Sequence, residues 1–189
     1  MRILGLDPGL NTTGYGVIDC SRSDMRLVEF GVITPARASQ LSERLVELQL
    51  GLAQVILALH PDVMVIEEVF SRTAYPHTAI MMAHARGVLV CTAASKDMPV
   101  FHYSATAVKR ALVGNGLASK EQVAAMVIQA LRLRSSPKPV DKTDALALAI
   151  AHARRTNGLT VHLTVGARST VDTRSTATEA AIKTRRGRR

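Results

Sequence analysis

The chain has 189 residues, 24 Lys+Arg against 15 Asp+Glu for a net charge of +9, two Cys and no Trp, and 47% of it is apolar. That length fits one globular domain with a tail, and no run approaches the ~20 uninterrupted apolar residues of a membrane span. Met1-Arg2-Ile3-Leu4-Gly5-Leu6-Asp7 meets Gly and Asp before a signal-peptide core forms, and Cys20 and Cys91 stand alone, so the expectation is a cytoplasmic protein with no disulfide framework or zinc site and two small buried thiols.

Residues 3–7, 13–20 and 25–34 read as three successive strands, divided by the turn-forming clusters Pro8-Gly9-Leu10-Asn11 and Ser21-Arg22-Ser23-Asp24. They predict an antiparallel meander. Leu41, Leu45, Leu48, Leu52, Val55, Ile56 and Leu59 recur at three- and four-residue steps until His60-Pro61, which predicts a long amphipathic helix. Residues 63–70 are nearly all apolar on both faces and predict a strand in the middle of the sheet, covered by helices on both sides. Ala- and Met-rich residues 78–94 predict a second helix, and residues 99–103 a short strand. Ser104 is a good N-cap for a helix reaching Val113, which Gly114-Asn115-Gly116 breaks. Ser119-Lys120-Glu121-Gln122 opens a helix to about residue 131, and residues 135–139 lead into a last helix from Asp141 to about residue 155. This order predicts an α/β layered domain over residues 1–155, a mixed five-stranded sheet flanked by helices on both faces. Residues 161–165 alternate briefly, as a short strand would.

Residues 1–153 carry 15 basic and 13 acidic side chains and residues 154–189 carry nine and two, so most of the excess charge lies in the tail. Residues 156–189 are rich in Thr, Ser, Ala and Arg and end Lys183-Thr184-Arg185-Arg186-Gly187-Arg188-Arg189, a composition that buries little and attracts polyanions. The reading is a basic, flexible tail whose leading partner class is nucleic acid; a solubilising end without a partner is the alternative.

Several acids stand where an acid is costly unless something compensates it. Asp7 ends the first strand, where an Asp-Pro-Gly turn also accounts for it. Strand alternation puts Glu67 on the same face as Val63, Val65 and Val69, an otherwise buried surface, so it must be paired, protonated or bound to a cation. Glu68 points the other way. Asp141 and Asp144 are three apart at the start of the last helix and share one side of its first turn; a capping box explains them, and so does a divalent cation relieving their repulsion. Asp7, Glu67, Asp141 and Asp144 together offer only hard oxygen ligands, a set suited to Mg²⁺ or Mn²⁺ rather than zinc. Two such ions would serve phosphodiester hydrolysis, one activating a water and the other stabilising the leaving 3′ oxygen. Lys109, Lys120, Lys142, Arg110 and the tail are available to hold phosphates, although each is also an ordinary surface charge. Phe70 either stacks on bases at a distorted step or caps the core.

Leu4-Gly5-Leu6-Asp7-Pro8-Gly9, then Thr13-Gly14-Tyr15-Gly16-Val17, Ile66-Glu67-Glu68-Val69-Phe70, Ala85-Arg86-Gly87-Val88, Val108-Lys109-Arg110 with Val113-Gly114, and Asp141-Lys142-Thr143-Asp144-Ala145-Leu146-Ala147 follow one another in an order and spacing that resembles the RuvC family of Holliday junction resolvases. The resemblance covers roughly residues 1–155. It implies an RNase H-like fold, a homodimer, and Mg²⁺-dependent symmetric nicking of four-way DNA junctions alongside the RuvA-RuvB branch-migration machinery. For the homodimer, Ala79, Met82, Ala83 and Arg86 of the 78–94 helix are a candidate contact, with ordinary core packing the alternative. Carried over, Asp7, Glu67, Asp141 and Asp144 are the metal-binding acids, two ions per site, with Mn²⁺ a substitute. Phe70 is an aromatic that contacts junction bases, and Lys109 and Lys120 contact phosphates or assist catalysis. Some members carry His where Asp141 stands, and Glu68 replaces a polar uncharged residue. Two other functions remain open: a non-catalytic junction-binding protein, and a phosphotransferase of the actin and sugar-kinase type. The latter is weakened by the absence of a repeat or a second Asp-Gly hairpin.

Overall fold

The turn at Pro8-Gly9 folds β1 (Arg2–Asp7) back on β2 (Thr13–Cys20), and the polar cluster at residues 21–24 folds β2 back on β3 (Met25–Ile33), giving the expected antiparallel meander. These elements come from a computed structural model, which describes residues 1–36, 39–68, 76–134 and 140–157. The helix α1 (Leu41–Leu59) ends where His60 takes a left-handed conformation. It returns the chain to β4 (Val63–Glu67), which pairs parallel with β1 and with β5 (Val100–Tyr103). The remaining helices are α2 (Pro76–Ala94), α3 (Ala105–Val113), α4 (Lys120–Leu131) and α5 (Val140–Asn157). Ser104 Oγ caps α3 by accepting from Ala107 N–H, and Ser119 with Gln122 forms a capping box on α4. Among the described residues no helix is long and apolar enough to cross a membrane.

The sheet order is β3-β2-β1-β4-β5, so β1 and not β4 is the central strand. One face buries Leu4, Leu6, Val17, Met64 and Ile66 under α1 and α2. The other buries Ile3, Ile18 and Val65 under α3, α4 and α5. Four expectations need correcting. The strand predicted over 63–70 ends at Glu67, because its ladder with β1 stops at the Leu6–Ile66 pair. The second helix starts two residues early, with Pro76 in the first turn, where a missing N–H costs nothing. Cys20 is buried, but Cys91 is exposed on the outward side of α2. The last helix begins at Val140, so Asp141 is its second residue rather than its cap. Residues 161–165 and the rest of the chain past Asn157 lie outside the described residues.

The register places Gly5 of β1 directly opposite Gly16 of β2, and both face α5. A Cβ on Gly5 would stand 2.0 Å from the carbonyl oxygen of Ala145, and one on Gly16 would stand 2.6 Å from Leu146 Cδ2. The pair forms a notch without side chains into which α5 sinks, and Ala145, Leu146, Ala149 and Ile150 are wholly buried as a result. A helix seated this closely carries its first turn to the end of β1.

Candidate active site

Asp7 and Glu67 are the last residues of β1 and β4, two parallel neighbours in register one residue earlier at Leu6 and Ile66. The chain ends of parallel strands are where α/β sheets place ligands, because the connecting loops diverge there. Glu67 shares the α5 side of the sheet with Val65, as alternation requires. The glycine notch brings in Asp144 from the first turns of α5, α3 contributes Lys109, and the first residue of α4 is Lys120. Asp7, Glu67, Asp144, Lys109 and Lys120 line one cavity of about 210 Å³, floored by Val108, Val123 and Leu148.

The charges in this cavity are strongly coupled. Burial, and then the Asp144 carboxylate, push the Glu67 carboxyl above its usual range, while Lys120 and Lys109 pull it back. Lys120 Nζ lies 3.3 Å from Asp144 Oδ2. The Asp144 charge raises the Lys120 ammonium above its usual value against the opposing effect of burial, with Asp7 and Glu67 adding to the rise. The Lys120 side chain is 70% exposed, so this pair adds little to stability. What it does is place a cation among three carboxylates.

The donor set was tested against a divalent cation. The cavity offers carboxylate oxygens from Asp7, Glu67 and Asp144 and no His or Cys among the described residues, which is the chemistry of a hard ion. The upward push of Asp144 on Glu67 is the repulsion such an ion would relieve. As arranged, with Asp144 hydrogen-bonded to Lys120, no three of the described His, Cys, Asp or Glu side chains form a ready-made ion cage.

A stability measurement follows from Glu67. Its folded value exceeds its ordinary 4.5, so between the two the folded state holds more protons than the unfolded one. Stability is therefore lost as pH rises through that window. Glu67→Gln removes the loss: in EDTA at pH 7 the variant is expected to melt above the wild type, and the difference should vanish below about pH 4.5. Added Mn²⁺ should reverse the order, because only the wild type retains the full donor set. A lower melting temperature for Glu67→Gln in EDTA would contradict this picture.

The other expected site residues divide as follows. Asp141 is in the first turn of α5, but its side chain lies outside the described residues, as does all of Phe70. Glu68 leaves the sheet and is exposed. Lys142 sits over the Phe30 ring, 5.3 Å from its centroid, at β3 rather than in the cavity. Arg110 is exposed on α3. Sequence reasoning placed Arg86 in a candidate dimer contact and missed that it reaches the end of β4 from α2; the signal for that place was the Ala85-Arg86-Gly87-Val88 segment.

Comparison with known proteins gives a consistent result. Residues 3–152 match the family model for crossover junction endodeoxyribonuclease RuvC. The chain is 47% identical over 148 residues to the protein of that name from Rhodopirellula baltica, covering 78% of this chain and 83% of the relative. It is 45% identical over 167 residues to the one from Azoarcus sp., covering 88% and 90%. The solved structure of Thermus thermophilus RuvC in complex with Holliday junction substrate superposes with a TM-score of 0.78 at 31% identity, covering 84% of this chain and 96% of that one. The mixed five-stranded sheet with its helices is the RNase H-like fold of those structures.

Proposed function

Because the chain belongs to the RuvC family of crossover junction endodeoxyribonucleases, we propose that the cavity at the ends of β1 and β4 is where it hydrolyses phosphodiester bonds of four-way DNA junctions. The protein is an endonuclease that resolves Holliday junctions in recombination and repair; the phosphotransferase and the non-catalytic binder are not favoured. The observation that carries the site reading is the gathering of Asp7, Glu67 and Asp144 with two lysines in one cavity.

Asp7, Glu67 and Asp144, with Asp141 as the fourth acid, would hold Mg²⁺, two ions per site, or Mn²⁺ in its place. Bound there, such ions supply Lewis acidity to the attacking water and to the leaving 3′ oxygen. The protein's own side chains do the rest. Val108, Val123 and Leu148 supply the apolar part of the cavity lining beside the acids. Lys120 pairs with Asp144 and offsets the repulsion that three carboxylates exert on an approaching phosphate. Lys109 adds a second positive charge on the same wall. Phe70, three residues past the end of β4 in sequence, is assigned to junction bases, and the basic residues 156–189 to phosphates outside the site, in a domain-plus-tail arrangement divided near residue 155.

Paired nicks in two equivalent strands need two copies of the site related by a two-fold axis, so we assign a homodimer. The helix α2 supports it. The candidate contact on Ala79, Met82, Ala83 and Arg86 shifts around the helix, because Ala79, Met82 and Arg86 are half-buried and Arg86 turns to the end of β4. The outward stripe is Ile80, Ala83, His84, Gly87 and Cys91, exposed at three- and four-residue steps without a carboxylate, Lys or Arg. A cytoplasmic setting and cooperation with RuvA-RuvB complete the reading.

The test is cleavage of labelled mobile and immobile four-way junctions beside linear duplex of the same sequence, with Mg²⁺, Ca²⁺ or EDTA, and sedimentation of the protein alone and on DNA. Paired nicks on the junction only, dependent on Mg²⁺ and made by a dimer, are expected. Binding without cleavage in any metal would refute the nuclease reading, and a monomer at micromolar concentration and on DNA would refute the dimer.

A further inference from the structure

Arg86 is the only Lys, Arg, Asp or Glu among the residues of α2, and it turns inward. Its Nε donates to the main-chain carbonyl of Glu67 at 3.0 Å, and one terminal nitrogen lies 2.7 Å from His102 Nδ1 on β5. A strand carbonyl normally finds its partner in the neighbouring strand. The register explains why this one does not. Glu68 N–H donates to Tyr103 on the β5 side, so by alternation the Glu67 carbonyl faces β1. With Leu6 opposite Ile66, the next donor that a parallel ladder supplies to Glu67 is the N–H of residue 8. Residue 8 is Pro8, which has none.

We propose that Arg86 is a positioning residue: it supplies the hydrogen bond that Pro8 cannot, and so holds the end of β4 with the Glu67 side chain in the cavity wall beside Asp7 and Asp144. His102 fixes the second arm of the guanidinium, which ties α2, β4 and β5 together directly behind the acid. Two separate sequence segments thereby explain each other, since the proline that shapes the turn after Asp7 creates the vacancy that Arg86 fills. Lysine cannot reproduce this, because a single ammonium lacks the planar fork that reaches both partners.

The inference rests on the cavity being the nuclease site, and the experiment separates the two. Arg86→Met keeps the aliphatic length and removes both donors. Its kcat for junction cleavage is expected to fall about tenfold or more, because small misplacement of a reacting group is costly. Junction Kd and sedimentation should match the wild type, and Mn²⁺ binding to the DNA-free protein, measured by calorimetry, should weaken. Pro8→Ala restores the ladder donor and is expected to return part of the lost kcat in the Pro8→Ala/Arg86→Met double variant. His102→Ala, which leaves the Glu67 bond in place, should show a smaller loss in the same direction and covers the case in which Arg86→Met does not fold. If Arg86→Met, or His102→Ala in its place, keeps wild-type kcat and Mn²⁺ affinity, the inference is wrong. It is also wrong if kcat, junction binding and melting temperature all fall together, the mark of a merely structural residue. Wild-type protein that binds the junction and never cuts it would instead overturn the nuclease reading beneath the inference.

Discussion

An Asp7→Ala variant is expected to lose junction cleavage by roughly 10³-fold, or about 4 kcal/mol of barrier, while its junction affinity holds or rises. Asp7 stands half-buried at the end of the central strand, and it contributes charge to the cavity that Lys120 senses. On the proposed site, removing a carboxylate there takes away an oxygen that would hold the ion and at the same time lessens the repulsion of phosphates. Cleavage and affinity therefore move in opposite directions. Single-turnover cleavage, a binding titration in Ca²⁺ and a thermal melt on the same preparation decide the matter. Disappearance of the melting transition would show that Asp7 is a structural acid of the Asp-Pro-Gly turn.

The second large effect lies at a residue without a side chain. Gly5→Ala would place a methyl group 2.0 Å from the Ala145 carbonyl oxygen and 3.0 Å from the Ala149 nitrogen, both in the backbone of α5. Backbone in a buried helix cannot rotate aside. The substitution is expected to cost about 3 kcal/mol or more, which lowers the melting temperature by roughly 10 °C for a domain of this size. Cleavage by the surviving folded fraction should drop as well, since the helix that is pushed away carries Asp144. Gly16→Ala is the milder control, because its nearest contacts are in the Leu146 side chain, which has other rotamers. A Gly5→Ala protein that melts within a degree or two of the wild type would mean that α5 is not seated as described.

Much of this was readable from the residues alone, and the reasons are local. Turn clusters at 8–11 and 21–24 set the meander, and the leucine spacing from Leu41 to Leu59 set α1, because short-range geometry decides both. Asp7, Glu67 and Asp144 were recognisable as expensive acids before their meeting place was known, and the structure puts them around one cavity. What failed depended on partners distant in sequence. The apolar run from 63 to 70 does not reveal that its ladder with β1 ends at residue 66, just before the chain of β1 turns away at Pro8. Nor does it show that β1 takes the centre of the sheet. Cys91 has the composition of a core residue, and only the packing of α2 turns it outward. Gly5 and Gly16 looked like ordinary small residues until the register set them opposite each other, and Arg86, expected at a dimer contact, turns instead to the end of β4.

The notch formed by Gly5 and Gly16 also bears on which DNA is cut. At Gly5 the backbone of β1 meets the backbone of α5 at Ala145 and Ala149, so no side chain separates the strand that carries Asp7 from the helix that carries Asp144 at this crossing. Separation between these acids is set by the frame and cannot widen or narrow to suit a substrate. Accommodation must then come from the nucleic acid. Continuous duplex resists, since bending a site of 20–30 base pairs costs on the order of 1–6 kcal/mol, whereas the exchanging strands of a four-way junction change direction at the branch point by their connectivity. A rigid site of this kind discriminates by mechanical compliance: it acts where the DNA has done the yielding beforehand.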